Sequence, residues 1–148
     1  MHKIVNNLIL INKELSAINS DTKIIAVSKT FPIEHIQPAI DYGHLHFGEN
    51  KVQEALEKWT EIKEKNKSIK LHLIGKLQTN KVKFCLPLFD FIHSLDNIKL
   101  ADKIANEQVK KILNQNCLFK SILEMRIRKM VLFYLNLNRF IKKLKILN

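Results

Sequence analysis

Four pairs of polar residues close short apolar runs along this 148-residue chain, and they are where chemistry is to be looked for: Ser28-Lys29, Glu49-Asn50, Lys76 with Gln78, and Ser94 with Asp96. Loops are solvated, so a polar residue after a strand is ordinary by itself. Lys29 stands apart. It directly follows the run Ile24-Ile25-Ala26-Val27-Ser28, and an amine held against a low-dielectric floor keeps a neutral fraction able to attack an aldehyde. That is Schiff-base chemistry. Other chemistries are disfavoured. Gly43, Gly48 and Gly75 are the only glycines, too few and too scattered for a dinucleotide fingerprint or a phosphate-binding loop. The six histidines include His44-x-His46 but neither an HExxH pattern nor a cysteine at ligand spacing, so they read as core or surface residues and no metal is expected.

The elements that must position these residues repeat. Apolar residues Ile4, Val5, Leu8, Ile11, Leu15 and Ile18 predict an N-terminal helix over residues 2–19, closed by Ser20-Asp21. Lys23 to Ser28 reads as a buried strand covered on both faces. After Pro32, the stripe Ile33, Ile36, Ala39 and Ile40 predicts a helix that stops at Tyr42-Gly43. The same order then recurs. His46-Phe47-Gly48 is a second strand, followed by a helix with Val52, Ala55, Leu56 and Trp59 on one face. Leu71 to Gly75 is a third, followed by the segment Gln78 to Leu86. Phe89 to Ser94 is a fourth, followed by a helix carrying Ile98, Leu100, Ala101, Ile104 and Val109. Strand, turn and helix repeated four times predict a parallel α/β architecture, and periodicity is met equally by an open sheet and by a closed barrel. In a barrel the C-terminal strand ends share one rim, where the four polar pairs would converge.

Composition narrows the class further. Hydrophobic residues make up 46% of the chain, enough for one core, and no run approaches the roughly 20 apolar residues of a membrane span. The run Ile4 to Ile11 is broken by Asn6 and Asn7 and lacks a small-residue cleavage site, so it reads as helix and not as a signal peptide. Cys85 and Cys117 have no disulfide-framework spacing, which points to a reducing compartment and a cytoplasmic location. The net charge of +11 is uneven: residues 1–112 hold 17 Lys or Arg against 13 Asp or Glu, and residues 113–148 hold 8 against 1. The basic excess is mostly the tail's, so no nucleic-acid or membrane partner is expected for the first part.

Taken in order, Ile25-Ala26-Val27-Ser28-Lys29-Thr30, His46-Phe47-Gly48-Glu49-Asn50 with Gln53-Glu54, His72-Leu73-Ile74-Gly75-Lys76-Leu77-Gln78-Thr79-Asn80-Lys81 and His93-Ser94-Leu95-Asp96 resemble the pyridoxal phosphate homeostasis proteins, relatives of the N-terminal domain of alanine racemase. The resemblance runs over about residues 1–112. It implies a (β/α)₈ TIM barrel that binds pyridoxal 5'-phosphate (PLP) as a Schiff base on the lysine ending the first strand, which is Lys29. By the same resemblance Asn50 and Ser94 are cofactor-pocket residues, and Gly75 lets the third strand end close to the cofactor ring. Many members have His where this chain has Lys76. The implied role is PLP binding in intracellular PLP homeostasis without established turnover. A weak, racemase-like PLP enzyme is the alternative, and a basic nucleic-acid or membrane-surface binder acting through the tail is the third reading. The oligomeric state is not readable.

Four units are present where the family has eight, so the expected fold is the N-terminal half of the barrel, residues 1–117, without the late strands that hold the cofactor phosphate. Residues 118–148 contain no Gly or Pro, and their apolar residues fit neither a helical stripe nor strand alternation. This basic tail is read as out of frame after about Cys117. Shifted by one base, Phe119 to Glu124 can be read as Ile-Gln-Val-Asn-Ile-Gly, resembling the family's fifth strand, and Met130-Val131 forces a Gly where the family has one.

Overall fold

The computed structural model describes residues 2–18 and 22–114, with side chains up to residue 110. The tail assigned to a frame slip lies outside the described residues, as does the Ser20-Asp21 stop. The order is α1 (Lys3–Ala17), β1 (Ala26–Val27), α2 (Ile33–Asp41), β2 (His46–Glu49), α3 (Val52–Lys65), β3 (Lys70–Leu73), a single 3₁₀ turn (Thr79–Lys81), α4 (Val82–Leu88), β4 (Phe91–Ile92) and α5 (Ile98–Asn114). The four strands form one sheet in the order β1-β2-β3-β4, parallel throughout, with each strand beside its successor. Sequential parallel neighbours joined by helices are the repeat that the sequence predicted.

Local chemistry sets the helix boundaries. Asn97 caps α5 by accepting the Leu100 N–H on its side-chain oxygen at 2.8 Å. Gly43, at φ 93°, ends α2, with its N–H on Ile40 O and that of His44 on Ala39 O, both at 2.9 Å. Pro32 precedes the first turn of α2 as its N-cap. In α3 the buried residues Val52, Ala55 and Trp59 fall on one stripe, and Lys63 and Lys65 occupy the last turn, where the helix dipole favours cations.

Register decides which face of the sheet each residue takes. Phe47 pairs with Leu71, and Glu49 with Leu73, which in turn pairs with Ile92. Side chains alternate along a strand, so these five share the face packed against the helices. All are buried there with Trp59, Val82, Cys85, Leu100 and Ile104, and the Phe47 and Trp59 rings lie 4.9 Å apart. Cys85 acts in this core as a small apolar side chain. The opposite face carries His46, Gly48 and His72.

One expectation is corrected. The run Lys23 to Ser28 was expected to be a strand buried on both faces, but only Ala26–Val27 pair, and Val27 is 49% exposed. The cause is the face: Val27 pairs with Gly48 and so lies on the side of the sheet away from the helices, whereas Ala26 pairs with Phe47 on the packed side. Among the described residues no helix is long and apolar enough to cross a membrane.

Candidate functional site

The backbone brings the predicted site residues to one rim. Ser28 N–H donates to Gly48 O (2.9 Å), Ile74 N–H to Glu49 O (2.9 Å) and His93 N–H to Leu73 O (2.9 Å), so the ladder continues past each strand's last paired residue. Lys29, Asn50, Gly75 and Ser94 therefore follow at the C-terminal ends of β1 to β4. Three of them touch. A Cβ built on Gly75 would lie 2.2 Å from Asn50 O and 2.7 Å from its Cα, so only glycine lets the ends of β2 and β3 approach this closely. The Ser94 hydroxyl donates to Gly75 O at 2.5 Å, which ties in the end of β4. The space at Gly75 is thus filled by Asn50's backbone. This glycine therefore joins the ends of β2 and β3.

Lys29 is exposed, and among the described residues its amine forms no ion pair or hydrogen bond. The buried surroundings expected for Lys29 are not found, because it stands in the turn beyond the last paired residue of β1. What distinguishes Lys29 is its turn. Phe31 N–H donates to Ser28 O at 3.2 Å, and Thr30 sits at φ 66°, a conformation that β-branched residues rarely adopt. Lys29 and Thr30 are the central pair of this tight turn.

Beneath the turn lies Glu49, a member of the second polar pair, which the sequence marked without showing its burial or its partners. Glu49 is fully buried, and its Oε1 accepts from Ser28 Oγ (2.7 Å), Trp59 Nε1 (2.9 Å) and Lys58 Nζ (2.8 Å). Lys58 was missed because a lysine in a charge-rich helix reads as solvated. Its signal was adjacency to Trp59 on the buried stripe.

A second polar feature crosses the other face. His46 Nδ1 and His72 Nε2 are 3.0 Å apart, and His72 Nδ1 and His93 Nε2 are 2.9 Å apart, with the His72 ring stacked on Phe91 at 4.3 Å. A neutral His72 can donate through one nitrogen only, so this row is ordered in one direction or the other. Burial lowers the His72 pKa to about 4, helped by the charges of His93 and His46, while Asp90 opposes the shift. Burial also lowers those of His44 and His46. Among the described residues no group of His, Cys, Asp or Glu could hold a metal ion.

Asp90 organises the N-terminal end of β4. Its Oδ2 accepts from Lys63 Nζ (2.6 Å) and Leu71 N–H (2.9 Å), and its Oδ1 from Lys70 Nζ (3.4 Å). Lys63 also donates to Leu88 O (2.7 Å), which fixes α3 against the start of β4.

No family model matches the chain. A pyridoxal phosphate homeostasis protein of Pasteurella multocida is 46% identical over 98 residues, covering 64% of this chain and 42% of that protein. The protein of the same name from Escherichia coli K12 is 31% identical over 128 residues, covering 81% and 55%. The chain therefore spans about half the length of the curated relatives it matches. Among solved structures, PipY of Synechococcus elongatus PCC7942 without PLP is 37% identical, with a TM-score of 0.58, over 67% of this chain and 47% of PipY. The PLP-bound form of PipY is similar to the same degree, with a TM-score of 0.57.

Proposed function

Since the chain belongs to the pyridoxal phosphate homeostasis protein family over the part of the family's length that it spans, we propose that it binds PLP and acts in PLP homeostasis, with Lys29 as the attachment point. The observation that carries this reading is the rim: an exposed lysine amine, unpaired among the described residues, at the end of β1, beside the linked strand ends of Asn50, Gly75 and Ser94. When bound, PLP would supply an aldehyde, and the Lys29 amine would be the group that holds it. The residues present fit such a ligand. Lys29 is available for attack, and the Asn50 side chain has no hydrogen-bond partner among the described residues. Asn50 and Ser94 would line the pocket, and Gly75 would keep their backbones in register.

In this reading the four parallel strands, within residues 1–117, correspond to the first half of a (β/α)₈ barrel. Residues 118–148 are proposed to be an out-of-frame translation, which the gene's nucleotide sequence tests: codons incompatible with the shifted peptide would end that idea. A PLP titration read by absorbance should give a bound spectrum that disappears in Lys29→Ala and reverses on dialysis. PLP that survives dialysis at one per chain would contradict the half-barrel reading. Racemase activity lost in Lys29→Ala would favour an enzyme over a binding protein.

A further inference from the structure

We propose that Lys58 and Glu49 are positioning residues for Lys29: the buried pair clamps the turn on which Lys29 stands and so fixes where its amine is presented. The proposal rests on the reading that Lys29 holds PLP.

Lys58 reaches from α3 to the β1–α2 connection. Its ammonium has three acceptors at 2.8 Å: Ser28 O, Phe31 O and Glu49 Oε1. Ammonium offers three donors, so this one is saturated. The two carbonyls are those immediately before Lys29 and two residues after it, which are the two ends of the turn. The side chains of Lys58 and Glu49 are 12% and 0% exposed. Removing two charges from water is costly, and either one left alone would be costlier. A surface loop needing only a tether would be served by an exposed pair.

The turn has reason to need a clamp. Thr30 at φ 66° lies in the left-handed region without the freedom of glycine, and such conformers persist where surrounding contacts over-determine them. Here Ser28 is held at four points: its N–H on Gly48 O, its hydroxyl on Glu49 Oε1, and its carbonyl by both Phe31 N–H and Lys58. Glu49 Oε1 receives three donors while its buried Oε2 has no partner among the described residues. The carboxylate is thus aimed by one oxygen at Ser28, Lys58 and Trp59. Loss of the clamp frees the turn to sample other conformers, and the attachment-competent fraction falls with it.

The test uses the full chain and a double variant, Glu49→Gln with Lys58→Met, that leaves no buried charge unpaired. PLP is titrated, the linkage is reduced with borohydride, and modified Lys29 peptide is quantified to give a half-saturation concentration at that residue. Unfolding midpoints and Phe31 amide exchange are measured alongside. The expected result is a half-saturation raised about tenfold, and Phe31 exchange faster by about the same factor, in a folded protein. Lys63→Met is the control. It removes an equally enclosed ammonium from the same helix, one that grips Leu88 O and Asp90, and it should lower the unfolding midpoint while leaving Lys29 half-saturation unchanged. A parental half-saturation in the double variant overturns the proposal, as does an equal rise in Lys63→Met. If the double variant does not fold, Lys58→Arg decides. It keeps the charge opposite Glu49 but substitutes a planar fork for the three-way donor, so half-saturation should rise about threefold, and an unchanged value overturns the proposal. Failure of the underlying reading looks different: Lys29→Ala would then take up PLP as the parent chain does.

Discussion

Replacing Gly75 by alanine puts a methyl group where the structure already holds backbone. The added Cβ would sit 2.2 Å from Asn50 O, 2.7 Å from its Cα and 2.8 Å from its carbonyl carbon. A comfortable carbon–oxygen contact is about 3.2 Å or more, so the strand ends must separate by roughly 1 Å. Rotamer change gives no escape, because every obstacle is main chain. Overpacking of this kind costs ~1–3 kcal/mol, and a rigid backbone obstacle puts the expected loss near the upper end, about 3 kcal/mol. The displacement also travels, since Ser94 is bonded to Gly75 O and Asn50 is the residue displaced. In urea, with a slope of ~1–2 kcal/mol per molar for a domain of this size, the unfolding midpoint should fall by about 1.5–3 M. PLP uptake at Lys29 should weaken in the protein that remains folded. A midpoint within about 0.3 M of the parent, at unchanged slope, would refute the close approach of β2 and β3 and the site geometry drawn from it.

Acidification should destabilise the fold through His72. Its folded pKa of about 4 lies below the ordinary 6.5, so between these values the unfolded chain binds more protons, and stability falls as pH drops from 6.5 towards 4 and is flat above that window for this group. At about 1.4 kcal/mol per unit the full shift would amount to ~3 kcal/mol, reduced to about 1–2 kcal/mol by water reaching the half-buried His46 and His93. Urea unfolding at stepped pH checks this: His72→Gln should flatten the dependence, and an unchanged slope would contradict it. Asp90→Ala should cost about 2 kcal/mol, because Lys63 loses its carboxylate and Leu71 N–H its acceptor. A thermal midpoint unchanged within a degree or two would show that the cluster is ornamental.

Much of this architecture was legible because apolar runs and stripes report burial. Phe47, Leu71 and Leu73 stand in short runs between helix-patterned segments, and each became part of a paired strand. The chain order of Lys29, Asn50, Gly75 and Ser94 placed all four on one rim, since each follows a parallel strand. Their surroundings were less legible. The exposure of Lys29 follows from the tight turn in which it stands, which its preceding run of Ile, Ala and Val does not report. The histidine row depends on register: His46 pairs with Lys70, so it meets His72 only diagonally, and sequence spacing carries no such information. Lys58 lay hidden because helical periodicity sorts residues by polarity, and a lysine that buries its ammonium on two carbonyls looks like any solvated one.

Attachment of PLP to Lys29 is read most sharply by mapping the modified lysines. The chain is mixed with PLP below one equivalent, reduced with borohydride and digested, and each lysine-containing peptide is quantified. Modification should concentrate at Lys29 ahead of the chain's other lysines, and be lost from that peptide in Lys29→Ala without compensation elsewhere. Modification spread across the surface lysines with no preference for Lys29 would contradict it.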